Sequence, residues 1–190
     1  MLQKYSKKKT GQIIDSLDDP INEAEFLYGV PAACLRGILY QEIADMDWLD
    51  AAADLIVRMH WAVYRIFGKE PGGLLRKRDS STGYAQVFAA TAIRGLHFAV
   101  SHGFPLPAAD SPDDLCSVWR RLHADKRFNT LCAALTLLNA AEEMTGSTDF
   151  QSFSPEEMQL VLSRYNARTD HITAYGKAAY QQYLEYQKAS

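Results

Sequence analysis

The sequence predicts a mainly α fold: a single compact helical domain with a cleft beside a short irregular or β-like loop. Apolar residues recur at helical spacing along almost the whole chain. Glycines and prolines fall between these periodic segments, where helices end. A chain of 190 residues with 47% hydrophobic residues can bury one core. We expect residues 1–20 to form an N-terminal tail and residues 21–190 to form the domain.

Two prolines mark the first helices. Proline suits the first turn of a helix because its missing N–H would have no partner there. Pro20 and Pro31 therefore predict helices near 21–28 and 31–46.

A long amphipathic helix is expected over about 48–67, ended by Gly68 and Pro71. The segment 72–81 follows, with two glycines, a run of charged residues and no periodicity. This segment is the predicted irregular loop.

Five further helices are expected after this loop, at about 86–101, 112–123, 126–145, 155–165 and 170–187. Ser111 and Pro112 mark the start of the second of them. Ser154 and Glu157 have the spacing of a capping box before the fourth.

The charge balance disfavours two classes of partner. Lys and Arg number 20 against 23 Asp and Glu, giving a net charge of −3, so a basic surface for nucleic acid is not expected. The most apolar stretch, 48–67, contains four charged residues, so we expect no membrane-spanning helix. The N-terminal segment lacks the apolar run of a signal peptide, and we therefore expect no classical export signal.

Cysteine and histidine spacing predicts neither a disulfide framework nor a metal site. Cys34, Cys116 and Cys132 are odd in number, widely separated and in apolar helical contexts, which favours buried free thiols. The five histidines show no zinc-type spacing, and no phosphate-binding glycine loop is present. We expect no metal and no cofactor.

Glu42 is the first candidate for chemistry. It lies in a helical stripe formed by Leu35, Ile38, Leu39 and Met46, so its carboxyl faces the core. Partial burial penalises the charged form and raises the pKa, which suits a proton donor near neutral pH. The structural alternative is a glutamate paired with an arginine or bonded to a helix N-terminus.

A second candidate element is the segment 79–92, at the end of the irregular loop. Gly83 allows the backbone to approach a ligand closely, and the Gln86 amide can both donate to and accept from sugar hydroxyl and acetamido groups. The alternative is an ordinary Ser-Ser-Thr-Gly turn that caps a helix.

In combination, these elements resemble the lysozyme-like superfamily, especially its lytic transglycosylase and goose-type lysozyme branch. In that family a helix opens with Val-Pro and ends in the catalytic acid, as Val30, Pro31 and Glu42 do here. A second family motif has Ser, then Gly-Leu-Met-Gln, then Thr-Ala. Its counterparts here are Ser80 or Ser81, Gly83, Tyr84, Ala85, Gln86, Thr91 and Ala92.

Two more elements extend the resemblance over about residues 28–183. Tyr165 and Asn166 match the family's late aromatic-Tyr-Asn element, and Tyr175 trails them in a final helix. Asn129 stands at the family's usual Asn in a long central helix. The resemblance implies a lysozyme-like fold, α+β at most.

Three departures mark the chain as a divergent member. Ile43 replaces the serine that usually follows the catalytic acid. The separation of Glu42 from Gln86 is longer than is typical, and the excess matches the helix 48–67. Tyr84 and Ala85 replace the Leu-Met pair of the second motif. Animal-type lysozymes, outside this branch, have a second carboxylate at the position of Ser81.

The resemblance implies cleavage of peptidoglycan strands between N-acetylmuramic acid and N-acetylglucosamine, with Glu42 as the catalytic acid and base. It also implies substrate-binding residues: Ser81, Gly83, Tyr84, Gln86, Tyr165 and Asn166. Tyr165 is expected to orient or pack against Glu42. Asp79 is a candidate second carboxylate, with Asp45, Asp47 and Asp50 as alternatives; a solvated charge is the other interpretation of each.

Without a second carboxylate, internal attack by the muramyl C6 hydroxyl would give a 1,6-anhydro product; inverting hydrolysis is the second mechanism. Tyr84 and Trp119 are candidates for stacking on sugars, with a core position as the alternative.

The substrate lies outside the cytoplasm, and we expect delivery without a signal peptide. The acidic balance favours an antibacterial effector injected by a contractile secretion apparatus, with a periplasmic immunity protein as partner. A phage lysis or virion-associated enzyme and a catalytically inactive glycan- or protein-binding helical module are the alternatives.

Overall fold

The computed structural model describes residues 5–108 and 114–189, and within these ranges it contains nine α-helices and no β-sheet. The predicted mainly α fold is confirmed. One antiparallel bridge joins Thr82 to Val87. The helices are α1 (Lys7–Asp15), α2 (Asp18–Tyr28), α3 (Ala32–Asp45), α4 (Trp48–Phe67), α5 (Ala89–His102), α6 (Leu115–Ala124), α7 (Lys126–Thr145), α8 (Pro155–Asn166) and α9 (Ala174–Ala189), with a 3-10 turn at Gly73–Arg76.

Two of the longest predicted helices, 48–67 and 126–145, are confirmed at both ends. Helix α5 begins three residues later than expected because the bridged turn 82–87 occupies the preceding backbone. Helix α6 is capped by Asp114, whose side chain accepts a hydrogen bond from the Ser117 N–H. Ser111 and Pro112, expected at its start, lie outside the described residues.

The predicted N-terminal tail contains α1. Ser6 caps this helix by accepting from the Lys9 N–H, and Ile13, Ile14 and Leu17 are buried. Helix α1 packs against α3. The described part of the tail therefore contributes to the hydrophobic core.

Helix α7 is the centre of the fold. Its residues from Phe128 to Leu138 are all buried, and α2, α5, α6 and α8 pack around it. A helix that is apolar on all sides is expected at the middle of a helical domain.

Serine and glutamate at positions 154 and 157 form the predicted capping box at the start of α8.

Helices α3 and α9 pack closely because α3 has a glycine at their contact. A Cβ added at Gly37 would lie 2.9 Å from the Ala179 carbonyl oxygen and 3.0 Å from the Tyr183 nitrogen. This close contact fixes the position of Glu42, near the end of α3, relative to Tyr175, near the start of α9.

Helix α4 is held at few points and is largely exposed. Only Val57 and His60 are buried. His60 Nδ1 contacts the Leu75 carbonyl oxygen at 2.7 Å, and Trp61 Nε1 donates to the Arg78 carbonyl oxygen at 3.0 Å. These contacts join α4 to the irregular loop that follows it.

None of the helices in the described ranges combines the length and the apolar character needed to cross a bilayer. The prediction of buried free thiols is confirmed for Cys34 and Cys132, whereas Cys116 is a free thiol that is only half-buried.

The substitution Gly37→Ala is expected to destabilise the protein by about 2 kcal/mol or more, because the new methyl group would force α3 and α9 apart. Urea unfolding followed by circular dichroism measures this change. Gly11→Ala is the matched control: it adds a methyl group to a helix where no atom lies within 4 Å, so it should leave stability unchanged or raise it by up to about 1 kcal/mol. Equal stability of the two variants would contradict the proposed close packing.

Candidate active site

A cavity of about 610 Å³ opens between the last turn of α3, the start of α5 and the end of α8. Five of the residues predicted from sequence line it: Glu42, Ser81, Gln86, Tyr165 and Asn166. They come from three distant parts of the chain. The fold therefore brings together the predicted acid, the turn 82–87 around Gly83, which we call the glycine turn, and the pair Tyr165 and Asn166.

A larger cavity of about 1100 Å³ lies beside the first and is lined by Gly83 and Tyr84 of the predicted set. The two cavities share Met46, Asp50 and Gln86 in their walls. We call the pair the groove. Glu42 lines the smaller cavity of the groove, and the first turns of α4 line the larger one.

Glu42 projects into the smaller cavity from a mostly buried segment of α3. Its neighbours Ile38, Leu39 and Ile43 are fully buried. The Tyr175 hydroxyl donates to Glu42 Oε1 at 2.6 Å, and the Asn166 side chain also hydrogen-bonds to the carboxyl. Glu42 forms no ion pair with any residue in the described ranges. The structure therefore does not support the alternative of a glutamate paired with an arginine there.

Burial raises the pKa of Glu42 from 4.5 to about 7. The hydrogen bonds from Tyr175 and Asn166 act in the opposite direction because they stabilise the charged form, whereas the nearby Asp45 and Asp50 carboxylates raise the pKa further. A carboxyl with this pKa is partly protonated at neutral pH and can both give and take a proton there.

Tyr175 is the residue of the candidate site that the sequence did not single out as a partner of the acid. The expected partner, Tyr165, lines the same cavity but donates its hydroxyl to the Ala85 carbonyl oxygen at 2.7 Å. The sequence held one signal, the glycine at position 176 that follows Tyr175. In the structure a Cβ at this position would lie 2.0 Å from Ser163 Oγ, so α9 starts in tight contact with α8. Burial and the nearby Glu42 carboxylate raise the pKa of both tyrosines well above 10.

The glycine turn is held to α7 by Asn129. Its Oδ1 accepts from the Ala85 N–H at 2.9 Å, and its Nδ2 donates to the Thr82 carbonyl oxygen at 3.0 Å. Gly83 has φ +70°, and a Cβ there would lie 2.4 Å from Asn129 Nδ2, so only glycine fits. Gln86, at φ 47°, donates its side-chain amide to the Gly83 carbonyl oxygen at 2.9 Å. The side chain of Gln86 thus lines the groove and also stabilises the turn through its amide N–H.

Asp54 connects α4 to the same turn. Its two carboxylate oxygens accept from Ser80 Oγ at 2.8 Å and Thr82 Oγ1 at 2.9 Å, and Oδ2 lies 3.1 Å from His123 Nδ1. This network fixes α4, one wall of the groove, to the glycine turn that forms the other.

The two aromatic candidates for sugar stacking have different positions. Trp119 is buried and donates Nε1 to Ser80 Oγ at 3.0 Å, so it is a core residue. Tyr84 lines the larger cavity, with Lys126 Nζ 5.3 Å from its ring centroid. Trp48, which is 61% exposed, also lines that cavity.

Asp79, the candidate second carboxylate, caps α5. Its Oδ1 accepts from the Ala89 N–H at 3.0 Å and its Oδ2 from the Ala90 N–H at 2.9 Å. The carboxylates that line the cavity with Glu42 are instead Asp45, Asp50 and Glu143. No cluster of three or more His, Cys, Asp or Glu side chains suited to a metal ion occurs in residues 5–108 and 114–189.

Tyr175→Phe removes a hydrogen bond to the ionised carboxylate, so we expect the pKa of Glu42 to rise further above 7. Carbon-detected NMR titration of the Glu42 side-chain carboxyl measures this shift. Tyr165→Phe is the control because its hydroxyl bonds to the Ala85 carbonyl oxygen, and this variant should titrate much more nearly as the wild type does. An unchanged pKa in Tyr175→Phe would refute the role given to Tyr175.

The raised pKa also predicts how stability depends on pH. The folded state holds the Glu42 proton more tightly than the unfolded chain does. The contribution of this proton to folding stability is therefore complete below pH 4.5 and is lost as pH rises through about 7. Glu42→Gln has no charge to bury and should be more stable than the wild type at pH 8 by up to about 3 kcal/mol. Denaturant unfolding at pH 4 and pH 8 measures the difference, which should shrink at pH 4. An advantage that is the same at both values would contradict the raised pKa.

No protein-family model, curated protein or solved structure matches this chain. The resemblance to the lysozyme-like superfamily therefore stays a prediction, and the function proposed below is founded on the geometry and chemistry of the groove.

Proposed function

We propose that this protein cleaves the glycan strands of peptidoglycan between N-acetylmuramic acid and N-acetylglucosamine, with Glu42 as general acid and then general base. The observation that carries the proposal is the Glu42 carboxyl, which has a pKa of about 7 and lines the smaller of two adjacent cavities.

Glycosidic cleavage requires a protonated carboxyl beside the bridging oxygen. At neutral pH an ordinary glutamate is ionised, whereas Glu42 keeps a substantial protonated fraction because it is partly desolvated. Tyr175 and Asn166 hold the carboxyl by hydrogen bonds, so its direction within the cavity is fixed. The same two bonds stabilise the carboxylate that remains after proton transfer.

The shape and lining of the groove favour an extended saccharide. Cavities of about 610 and 1100 Å³ that share a wall have room for several sugar rings. Tyr84 and Trp48 offer aromatic faces to the apolar sides of sugars, and the Gln86 and Asn166 amides suit hydroxyl and acetamido groups. A long, mixed aromatic and polar groove is typical of polymer binding.

The leading mechanism uses one carboxyl. Glu42 donates its proton to the leaving oxygen as the glycosidic bond breaks. The carboxylate then accepts the proton of the muramyl C6 hydroxyl, whose oxygen bonds to the anomeric carbon and gives a 1,6-anhydro end. Inverting hydrolysis is the second candidate, and it is favoured by Asp45 and Asp50, which line the same cavity and could orient a water molecule.

The proposed site of action is the cell wall or periplasm, where the substrate lies. A net charge of −3 is poorly suited to a free enzyme that must adhere to an anionic wall, and it favours an antibacterial effector delivered to a target cell. An immunity protein that covers the groove is the partner expected for such an effector.

Incubation of purified sacculi with wild type and Glu42→Gln, followed by mass spectrometry of the released muropeptides, tests the proposal. The variant should release product at least about 100-fold more slowly because it cannot donate the proton. Anhydro ends would identify a transglycosylase, and reducing ends a hydrolase.

Glu185→Gln, an exposed glutamate on α9, is the control and should retain wild-type activity. Equal release by wild type and Glu42→Gln would show that another group is the acid. Absence of release by the wild type would favour the inactive binding module.

A further inference from the structure

Three arginines line the end of the smaller cavity formed by α5 and α8: Arg94, Arg164 and Arg168. Arg94 is on α5, Arg164 is on α8, and Arg168 lies two residues after the end of α8. Only one carboxylate, Glu143, is among the lining residues contributed by α5, α7 and α8. This end of the cavity therefore carries an excess of positive charge.

Glu143 is committed to Arg164. Its Oε2 accepts from Arg164 Nε at 2.9 Å and from Arg164 Nη2 at 2.6 Å, while its Oε1 accepts from Asn139 Nδ2 at 2.9 Å. Two donors on one oxygen and a third on the other leave Glu143 well satisfied. Arg164 is therefore the paired arginine of the three.

Arg94 and Arg168 lack such a partner. Arg94 donates to Thr91 Oγ1 at 3.0 Å and to the Ala90 carbonyl oxygen at 3.3 Å, and both are neutral groups. Within residues 5–108 and 114–189, no carboxylate oxygen lies within 4.0 Å of either guanidinium. Burial and the nearby Arg168 charge lower the pKa of Arg94, and the Glu143 carboxylate opposes this shift without cancelling it. An anion bound by Arg94 and Arg168 would relieve the repulsion between them.

Both arginines line the cavity that contains the acid. Arg168 lies two residues after Asn166, which hydrogen-bonds to Glu42, and Arg94 faces the same cavity. A ligand that reaches Glu42 in this cavity can therefore also present an anionic group to Arg94 and Arg168. In peptidoglycan the anionic groups nearest to the glycan bond are the carboxylates of the peptide stem on muramic acid.

We propose that Arg94 and Arg168 bind a carboxylate of the peptide stem, so that the enzyme prefers glycan strands that carry stems over bare strands. This inference rests on the proposed glycan cleavage. Guanidinium groups suit it because their planar N–H groups match the two oxygens of a carboxylate. The arginines would act on binding and position, while Glu42 carries the chemistry.

Cleavage rates on two substrates test the preference. Glycan strands with intact stems are compared with the same strands after an amidase has removed the stems and the lactyl carboxylates that this cleavage leaves on muramic acid have been converted to amides. Wild type should cleave the stem-bearing strands about tenfold faster, because a charge-assisted bidentate contact contributes at least that factor. Arg168→Gln should lose most of this preference and Arg94→Gln/Arg168→Gln all of it, measured as the ratio of the rates on the two substrates. Arg120→Gln, an exposed arginine on α6 outside the cavity lining, is the charge-matched control and should keep the preference.

Calorimetric binding separates this inference from the proposed reaction. A synthetic muramyl tripeptide with free carboxylates should bind wild type about tenfold more tightly than Arg168→Gln, whereas its fully amidated form should bind both equally. This pattern without any strand cleavage would support the carboxylate site and refute the reaction. Equal binding of the free-acid peptide by both proteins would overturn the inference even if strands are cleaved. Glutarate that binds as tightly as the muramyl peptide would overturn the assignment to peptide stems.

Discussion

The hydrogen bond from Tyr175 to Glu42 is the interaction on which the rest of the site depends. Burial alone would make the charged carboxyl too costly to form, and an ion pair would hold it permanently charged. A neutral donor at 2.6 Å stabilises the carboxylate partly and leaves the pKa near 7. This bond exists because Gly37 lets α3 and α9 approach closely enough for the two side chains to meet.

The other wall of the groove is held by two side chains that also line the larger cavity. Asn129 fixes the glycine turn to the central helix, and Asp54 fixes α4 to the same turn. Both use short polar side chains at positions of low exposure, where a satisfied hydrogen-bond network favours one arrangement of the backbone. The acid and the turn that faces it are thus each attached to the core helices independently.

The sequence was sufficient where local rules determine the structure. The helix 48–67 followed from a periodic stripe, Gly68 and Pro71, and the position of Glu42 followed from its place in an apolar stripe. The sequence was insufficient where packing between distant parts of the chain determines the structure. Helix α1 depends on its contact with α3, Tyr175 reaches Glu42 across 133 positions of the chain, and Asp79 caps α5 only because the turn 82–87 folds back.

Helix α4 is fixed near its middle by Asp54 and His60, while Ile66 and Phe67 at its far end are 73% and 68% exposed. The anchored part forms the groove wall, and the distal turns contribute little to the core. Amino-acid replacements are therefore constrained unequally along one helix: changes at the distal turns should leave the groove wall in place, whereas changes at Asp54 should disturb it.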